Sequence, residues 1–526
     1  MRAATLRDLN PARRARIAAI AVAACAIAAS AEPAAAVDRR VGADVPKPVL
    51  TGSPWTEAEI AGLDASVELA LAGAKTLRGA HVGLYAIDAR DGRVLYAHNP
   101  DDAFQPASTL KLLVGSAALD RLGAGFRFRT EAFPGAPVVD GEVKGVLVLR
   151  GSGDVLLDDN ALGELAPALR AAGITAVHGV GFDEPPDIVP YLPGWSWDDL
   201  PWYYAAPVTR LGLNDNAVTL RVTPGASAGA PVAVSVEPWG SVCAAAAPSC
   251  TDDLGFRIDV AATTGLPVSE NTLDVVRPIG DGGIDRVRLV GTLAAGAKPE
   301  HLSIAVPRPP AYAAAAAERA LRAAGVRVLP AGTDRRASAP AGASVIVWTH
   351  WSEPLSEMLA DLWLPSDNVL AEELLRAVGA TAPALQGSSA NGIAWEKTWL
   401  KGLGVDSDAV AIEDGSGLSV YDRSSPRALV AVLRHDWDGP NRDLVLDDLP
   451  IAGVRGTLDT SFAGTAAEKR VFAKTGSLSH VSALAGYIAN AKHGAIIFAF
   501  QVDDWIGARA DLSELRGRVL SEFVER

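Results

Sequence analysis

Histidine is scarce and scattered. The eight in this 526-residue chain include no H-E-x-x-H and no pair at helical spacing, so neither a zinc hydrolase nor a Ser-His-Asp triad finds support. Cysteine is scarcer still, at three, and a metal site on Cys243 and Cys250 would lack further ligands. Beyond the N-terminus no apolar run approaches the roughly 20 residues of a membrane-spanning helix. Positive charge is short as well: the net charge of −14 becomes −18 once residues 1–31, with five Arg and one Asp, are removed. That balance argues against nucleic acid and against an electrostatic hold on an anionic membrane. No repeat period appears, and no glycine-rich stretch leads into a helix as a phosphate loop must. What remains is a chain 49% hydrophobic and 21% charged, able to bury cores and long enough for about three domains.

The N-terminus supports export. Arg13, Arg14 and Arg16 form a basic region, residues 17–27 an apolar one, and Ala29-Ser30-Ala31 or Ala34-Ala35-Ala36 a small-residue cleavage site. Residues 1–36 therefore read as a secretory signal peptide, giving an exported, periplasmic protein with no stable membrane anchor, or alternatively one secreted outright. Val22-Ala23-Ala24-Cys25 resembles a lipoprotein box, but the apolar run continues past it. In an oxidising compartment Cys243 and Cys250 are expected to form a disulfide across a short loop.

Three motifs carry the chemistry. Ser108-Thr109-Leu110-Lys111 is the only S-x-x-K, and Leu110, Leu113, Val114, Ala117 and Ala118 follow at helical spacing. Residues three apart share a helix face, so the Lys111 amine falls beside the Ser108 hydroxyl. A partly desolvated lysine can take the proton from a serine that is otherwise a poor nucleophile. Ser366-Asp367-Asn368 is expected in a loop between helical runs at 354–364 and 369–378. Lys474-Thr475-Gly476, the only K-T-G, is expected on a strand at 470–478, paired with a strand-like run at 495–502. Taken singly each has a plainer reading: a Ser cap with a solvated Lys, a polar loop, an edge strand protected by a Lys. In this order they are the signature set of penicillin-binding proteins and class A β-lactamases.

Acyl transfer needs a nucleophile, proton traffic to the leaving amine, and donors aimed at the developing oxyanion. Ser108 is the candidate nucleophile and Lys111 its base. Ser366 is a proton relay, and the Asn368 amide a holder of the substrate backbone. Lys474 and Thr475 suit a terminal carboxylate. The backbone N–H groups of Ser108 and Ser477 suit the oxyanion hole, with Gly476 keeping the strand edge open to substrate. No metal or organic cofactor is implied.

The interval from Ser108 to Ser366 is too long for one helix-to-loop step, so something domain-sized is inserted. Here the chain resembles the class C low-molecular-mass penicillin-binding proteins, the D-alanyl-D-alanine carboxypeptidase/endopeptidase family of the penicillin-binding protein 4 type. Residues 104–111 and 122–128 read like its nucleophile helix and exit. Arg150-Gly151-Ser152-Gly153-Asp154, residues 194–199 and Leu213-Asn214-Asp215-Asn216 match inside the insertion. Residues 414–419, Ser425-Pro426 and 449–453 match beyond it. Outside the catalytic motifs these glycine-rich pieces read as turn chemistry.

The resemblance implies an α/β (α+β) catalytic domain of the serine β-lactamase/penicillin-binding-protein type, an antiparallel sheet flanked by helices. Residues 45–125 and 346–526 would form it, and 126–345 would supply strand-rich inserted domains, two and nested. It implies a serine-type D-Ala-D-Ala carboxypeptidase with a second endopeptidase activity, peptidoglycan stem peptides as substrates and β-lactams as inhibitors. Asp199 takes the place of an acid that faces the diaminopimelate amine, whereas Val420 stands where an arginine often meets that residue's carboxylate. The rival readings are a catalytically inert wall-binding scaffold and a β-lactamase. A helix at 57–77, a hairpin at 81–98, and a final helix carrying Leu512, Leu515, Val519, Leu520 and Phe523 on one face complete the expected layout. His480, just past Ser477, reads as a surface residue after a strand turn.

Overall fold

The computed structural model describes residues 45–526 apart from 186–188, 238–240, 244–248, 251–253, 278–285, 331–334, 338–344 and 381–386. The proposed signal peptide and Cys25 lie outside the described residues. So do the side chains of Cys243 and Cys250, whose backbones belong to the short strands Ser241–Cys243 and Ser249–Cys250.

Thr56 opens the first helix, α1 (Glu57–Ala72), with a capping box: its hydroxyl accepts the Glu59 N–H while Glu59 accepts the Thr56 N–H. The helix stops at Ala72 rather than 77, because the chain passes Gly73 into a separate 3-10 turn, Lys75–Leu77. Strands β1 (His81–Asp88) and β2 (Val94–His98) form the expected hairpin. The chain ends in β3 (Val471–Leu478), β4 (Val481–Asn490), β5 (Gly494–Asp503) and α7 (Arg509–Glu525).

These five strands make one antiparallel sheet in the order β2-β1-β5-β4-β3. The K-T-G strand β3 therefore pairs with β4, not with the 495–502 run, which is one strand further in. The turn between β3 and β4 contains no Gly or Pro. It is made by His480 in a left-handed conformation, φ 63°, and its ring nitrogen meets the Trp505 carbonyl at 2.9 Å. His480 is thus an exposed turn residue.

Alternation along the strands gives the sheet two apolar faces. One packs Leu84, Leu484, Phe498 and Phe500 against α1 and the Leu515, Val519 and Phe523 face of α7. The other packs Tyr85, Tyr487, Ile497 and Phe472 against α2 (Leu110–Leu122), α3 (Leu355–Trp363), α4 (Asn368–Val378) and α6 (Pro426–Asp438). A further helix, α5 (Ser389–Gly402), lies against α4. The helices can descend on the sheet because small residues stand where they touch. A Cβ on Gly83 would fall 2.5 Å from the Phe104 ring, and one on Gly115 of α2 would fall 2.5 Å from the Trp363 indole.

Between α2 and α3 the chain builds further sheets. Arg129–Pro134 pairs with Leu147–Gly151 and also with Trp348–Trp351, so the two ends of the intervening stretch are neighbours. Ala217–Thr223 lies between Ala233–Glu237 and Glu300–Ala305. The alanine-rich stretch at 311–317 lies in the helix Pro309–Ala323 and, apart from the half-buried Ala315, is buried.

Trp363 is wholly buried and donates its indole N–H to the Lys111 carbonyl at 2.9 Å. Trp363→Ala is expected to lower stability by about 3–5 kcal/mol, read from chemical denaturation curves of the two proteins.

Candidate active site

Ser108 sits in a one-turn 3-10 helix, Ala107–Thr109, that leads into α2. Ala107 before it is left-handed at φ 45°, a conformation that costs a non-glycine residue about 1–2 kcal/mol. Neighbouring glycines leave room for it. A Cβ on Gly417 would lie 1.9 Å from the Ala107 carbonyl oxygen, and one on Gly476 would lie 2.6 Å from the Pro106 oxygen. Gly476 thus lets β3 close on the serine turn.

Lys111 is completely buried. Its Nζ donates to Ser108 Oγ at 2.9 Å, to Asn368 Oδ1 at 2.6 Å and to the Ser416 carbonyl at 2.7 Å. Three donors meet three acceptors from three segments, which aims the nitrogen at the serine. Burial pulls its pKa down to about 8, against the opposing pull of Asp414, Glu372, Asp367 and Asp422.

Asp367 is the N-cap of α4, its carboxylate accepting the Leu370 N–H at 3.0 Å. Asn368 is therefore the first residue of the helix rather than part of the expected loop. Ser366 turns the chain with φ 70°, and its hydroxyl accepts from Lys474 Nζ at 2.9 Å. Lys474 is also completely buried and donates to the Thr475 carbonyl at 2.9 Å. Burial and the nearby Lys111 hold its pKa well below the usual lysine range. Thr475 Oγ1 donates to Thr457 Oγ1 at 2.7 Å, while Ser477 is exposed on the outer edge of the sheet. Residues 450–452 cover the start of that edge, with Ala452 N–H donating to the Val471 carbonyl and Ala473 N–H to Pro450.

The glycine-rich segment 414–419 does more than turn. Asp414 accepts from the N–H groups of Gly417 and Ser419, both at 2.7 Å. Glu372, one turn after Asn368 on α4, accepts from the N–H groups of Gly415 and Ser416. Burial and Asp414 raise Glu372 to about 8. Burial, with Asp414 second, raises Asp422 to about 10.

The stretch between α2 and α3 reaches the same place. Tyr204's carbonyl accepts from Asn368 Nδ2 at 2.6 Å, and Trp195 Nε1 donates to Asp414 at 2.9 Å. Asp199 accepts from the Tyr204 hydroxyl at 2.9 Å, and burial pushes its pKa up. Asn214, Asp215 and Asn216 are all left-handed, φ 51°, 55° and 53°, which is turn chemistry. Asp215 additionally hydrogen-bonds Asp367, and burial holds it well above the carboxylate range. Val420 and Tyr421 are exposed beside Gly194.

The structure thus gathers Ser108, Lys111, Ser366, Asn368, Lys474, Thr475 and Gly476, with Asp199 one tyrosine away. Glu372, Thr457 and the Tyr204 carbonyl have no place in the sequence reading, and Asp215 enters it only within a family-like turn. Glu372 carries a local signal, as an acid four residues after Asn368 on one helix face. Among the described residues no group of His, Cys, Asp and Glu could hold a metal ion, and no helix is long and apolar enough to cross a membrane.

An antiparallel sheet with a half-buried serine hydrogen-bonded to a buried lysine at the start of a helix, and a Lys-Thr-Gly edge strand facing it, defines the class of serine acyl-transfer enzymes that contains penicillin-binding proteins and serine β-lactamases. Comparison narrows it. The profile of the D-Ala-D-Ala carboxypeptidase 3 (S13) family matches residues 63–518, and the chain belongs to that family. It is 34% identical over 434 residues to a D-alanyl-D-alanine carboxypeptidase of Actinomadura sp. (strain R39), covering 78% of this chain and 76% of that one. It is 27% identical over 436 residues to the D-alanyl-D-alanine carboxypeptidase DacB of Haemophilus influenzae, covering 81% and 85%. The crystal structure of penicillin binding protein 4 from Haemophilus influenzae superposes with a TM-score of 0.71 at 25% identity, covering 87% of this chain and 99% of that one.

Gly417 is left-handed, φ 78°. Gly417→Ala combines that strain with the overlap on Ala107 and is expected to cost about 1–3 kcal/mol. Urea denaturation followed by tryptophan fluorescence measures it.

Proposed function

We propose that this chain is a serine-type D-Ala-D-Ala carboxypeptidase of peptidoglycan that uses Ser108 as its nucleophile and binds β-lactams at the same serine. The observation that carries the assignment is the Ser108–Lys111 hydrogen bond of 2.9 Å, inside a fold whose family is known. Lys111 takes the Ser108 proton as Oγ attacks the penultimate D-Ala carbonyl. The oxyanion is met by the N–H groups of Ser108 and Ser477. As the C–N bond breaks, the proton passes to the departing amine by way of Ser366. Water then attacks the ester, Lys111 accepting its proton, and Ser108 recovers a proton as the shortened peptide leaves. A substrate carboxylate beside Lys474 and Thr475 supplies the anion that favours the charged ammonium.

The reading extends to four finer points. The enzyme also cleaves the D-alanyl cross-link as an endopeptidase. Asp199 pairs with the amine of the stem peptide's third residue, and its link through Tyr204 to Asn368 supports that position. Residues 126–345 form nested inserted domains within a catalytic domain made of the two flanking segments. Residues 1–36 direct export to the periplasm.

Intact mass after incubation with benzylpenicillin should show one adduct on the wild type and none on Ser108→Ala. Absence of an adduct with the drug intact would leave a wall-binding scaffold, and rapid drug turnover a β-lactamase. The general base works in its neutral form. Since Lys111 has a pKa of about 8, the acylation rate should climb with pH, by about tenfold per unit well below that value, and level above it. Stopped-flow acylation across that range checks the sign. Asp199→Ala is expected to lower kcat/KM for an amine-bearing stem peptide by about tenfold while leaving benzylpenicillin acylation unchanged.

A further inference from the structure

Glu372 is the group in this site that acyl-transfer chemistry leaves without a task. It has no exposed surface. It follows Asn368 by one turn of α4, so the two side chains rise from the same face toward Lys111 and its supports. Asn368 Oδ1 holds the Lys111 nitrogen directly. Glu372 holds it at one remove. Its two oxygens accept the Gly415 N–H at 3.0 and 2.9 Å and one of them accepts the Ser416 N–H at 2.8 Å. Ser416 is the residue whose carbonyl accepts from Lys111 at 2.7 Å. The other side of that carbonyl's peptide unit is tied down too, since the Gly417 N–H donates to Asp414 at 2.7 Å.

A buried carboxylate is a costly way to fill space. An apolar side chain of similar volume often packs as well or better. A carboxylate here is explained by what it holds. Two successive N–H groups converging on it fix residues 415 and 416 as a small anion-binding loop would, with the carboxylate supplied by the protein itself. We propose that Glu372 is a positioning residue for the reaction: it anchors residues 415–416 so that the Ser416 carbonyl keeps the Lys111 amine on the Ser108 hydroxyl.

Charged groups surround both side chains. Lys111 is faced by Glu372 of α4 and by Asp367 at its N-cap, by Asp414 of the glycine-rich segment and Asp422 just beyond it, and by Lys474 from β3. Glu372 is faced in turn by Lys111, by Asp414, and by Glu396 of α5, which is buried with no hydrogen-bond donor to either oxygen among the described residues. Arg376, one turn further along α4, is engaged by Ser389 Oγ and the Val189 carbonyl. Glu372, raised to about 8 by burial and Asp414, carries its proton over the acidic side of the Lys111 titration, so exchanging it for a neutral amide leaves the charge around Lys111 unchanged there.

This inference rests on Ser108 and Lys111 acting as nucleophile and base, and the test separates the two. The rate of acylation by benzylpenicillin is measured against pH for wild type, Glu372→Gln and Glu372→Asp, with melting curves for each. In Glu372→Gln an NH2 group faces backbone N–H donors, so the plateau rate should fall by roughly 30-fold while the acidic limb keeps its position, a neutral amide replacing a neutral acid. Glu372→Asp retracts the acceptors by one methylene, so its plateau should fall as well. The plateau is a rate constant of the folded enzyme, so a purely structural residue would lower the folded fraction and the melting temperature without lowering it. Folded Glu372→Gln with the wild-type plateau overturns the proposal. If Glu372→Gln does not fold, a Glu372→Asp enzyme with the wild-type plateau overturns it equally. A wild type that benzylpenicillin does not acylate sinks the functional reading itself, and this role with it.

Discussion

Everything in the active site is arranged around one buried ammonium. Lys111 has no contact with solvent, and an amine in that position is tolerated only if each of its donors is answered. The three answers come from Ser108 on its own helix, Asn368 on α4 and the carbonyl of Ser416. Each answering group is fixed in turn. Asn368 donates to the Tyr204 carbonyl, Ser416 is held by Glu372, and the backbone carbonyl of Lys111 receives the Trp363 indole. Displacing any one of these segments strands a polar group in the interior, so the site and the packing of the helices stand or fall together.

The second constraint is distance. A serine turn, a glycine-rich segment and an edge strand must all come within contact of one another. Backbone can approach backbone that closely only where side chains are missing. Gly417 against Ala107 and Gly476 against Pro106 are two places where this happens. The strained Ala107 lies between them. That is the pattern expected of strain maintained next to reacting groups. The stretch between α2 and α3 shares the work, since Trp195, Tyr204 and Asp215 reach Asp414, Asn368 and Asp367. It forms one wall of the site.

Much was legible beforehand. The Ser-Lys spacing needs only helical geometry to be meaningful, and the capped helix α1, the β1-β2 hairpin and the apolar face of α7 follow from local signals. The misreadings also have local causes. β4 was passed over as the partner of the K-T-G strand because its turn is made by His480 in a left-handed conformation, with no Gly or Pro to announce it. Asn368 was read as loop because Asp367 caps the helix one residue earlier than the apolar pattern begins. The segment 414–419 was read as a turn because hydrogen bonds from Glu372, more than 40 residues upstream, are invisible in its own composition.

The sequence by itself determined which side chains are available and in what order, because S-x-x-K, S-D-N and K-T-G are short patterns whose meaning depends on local geometry and chemical type. Only the tertiary structure decided how they act. The pKa of Lys111, the acceptors around it, the acids behind it and the contribution of Trp195 and Tyr204 all depend on desolvation and on contacts between segments hundreds of residues apart. Those are properties of the folded interior, where a charge loses water and gains particular neighbours, and no stretch of chain carries them alone.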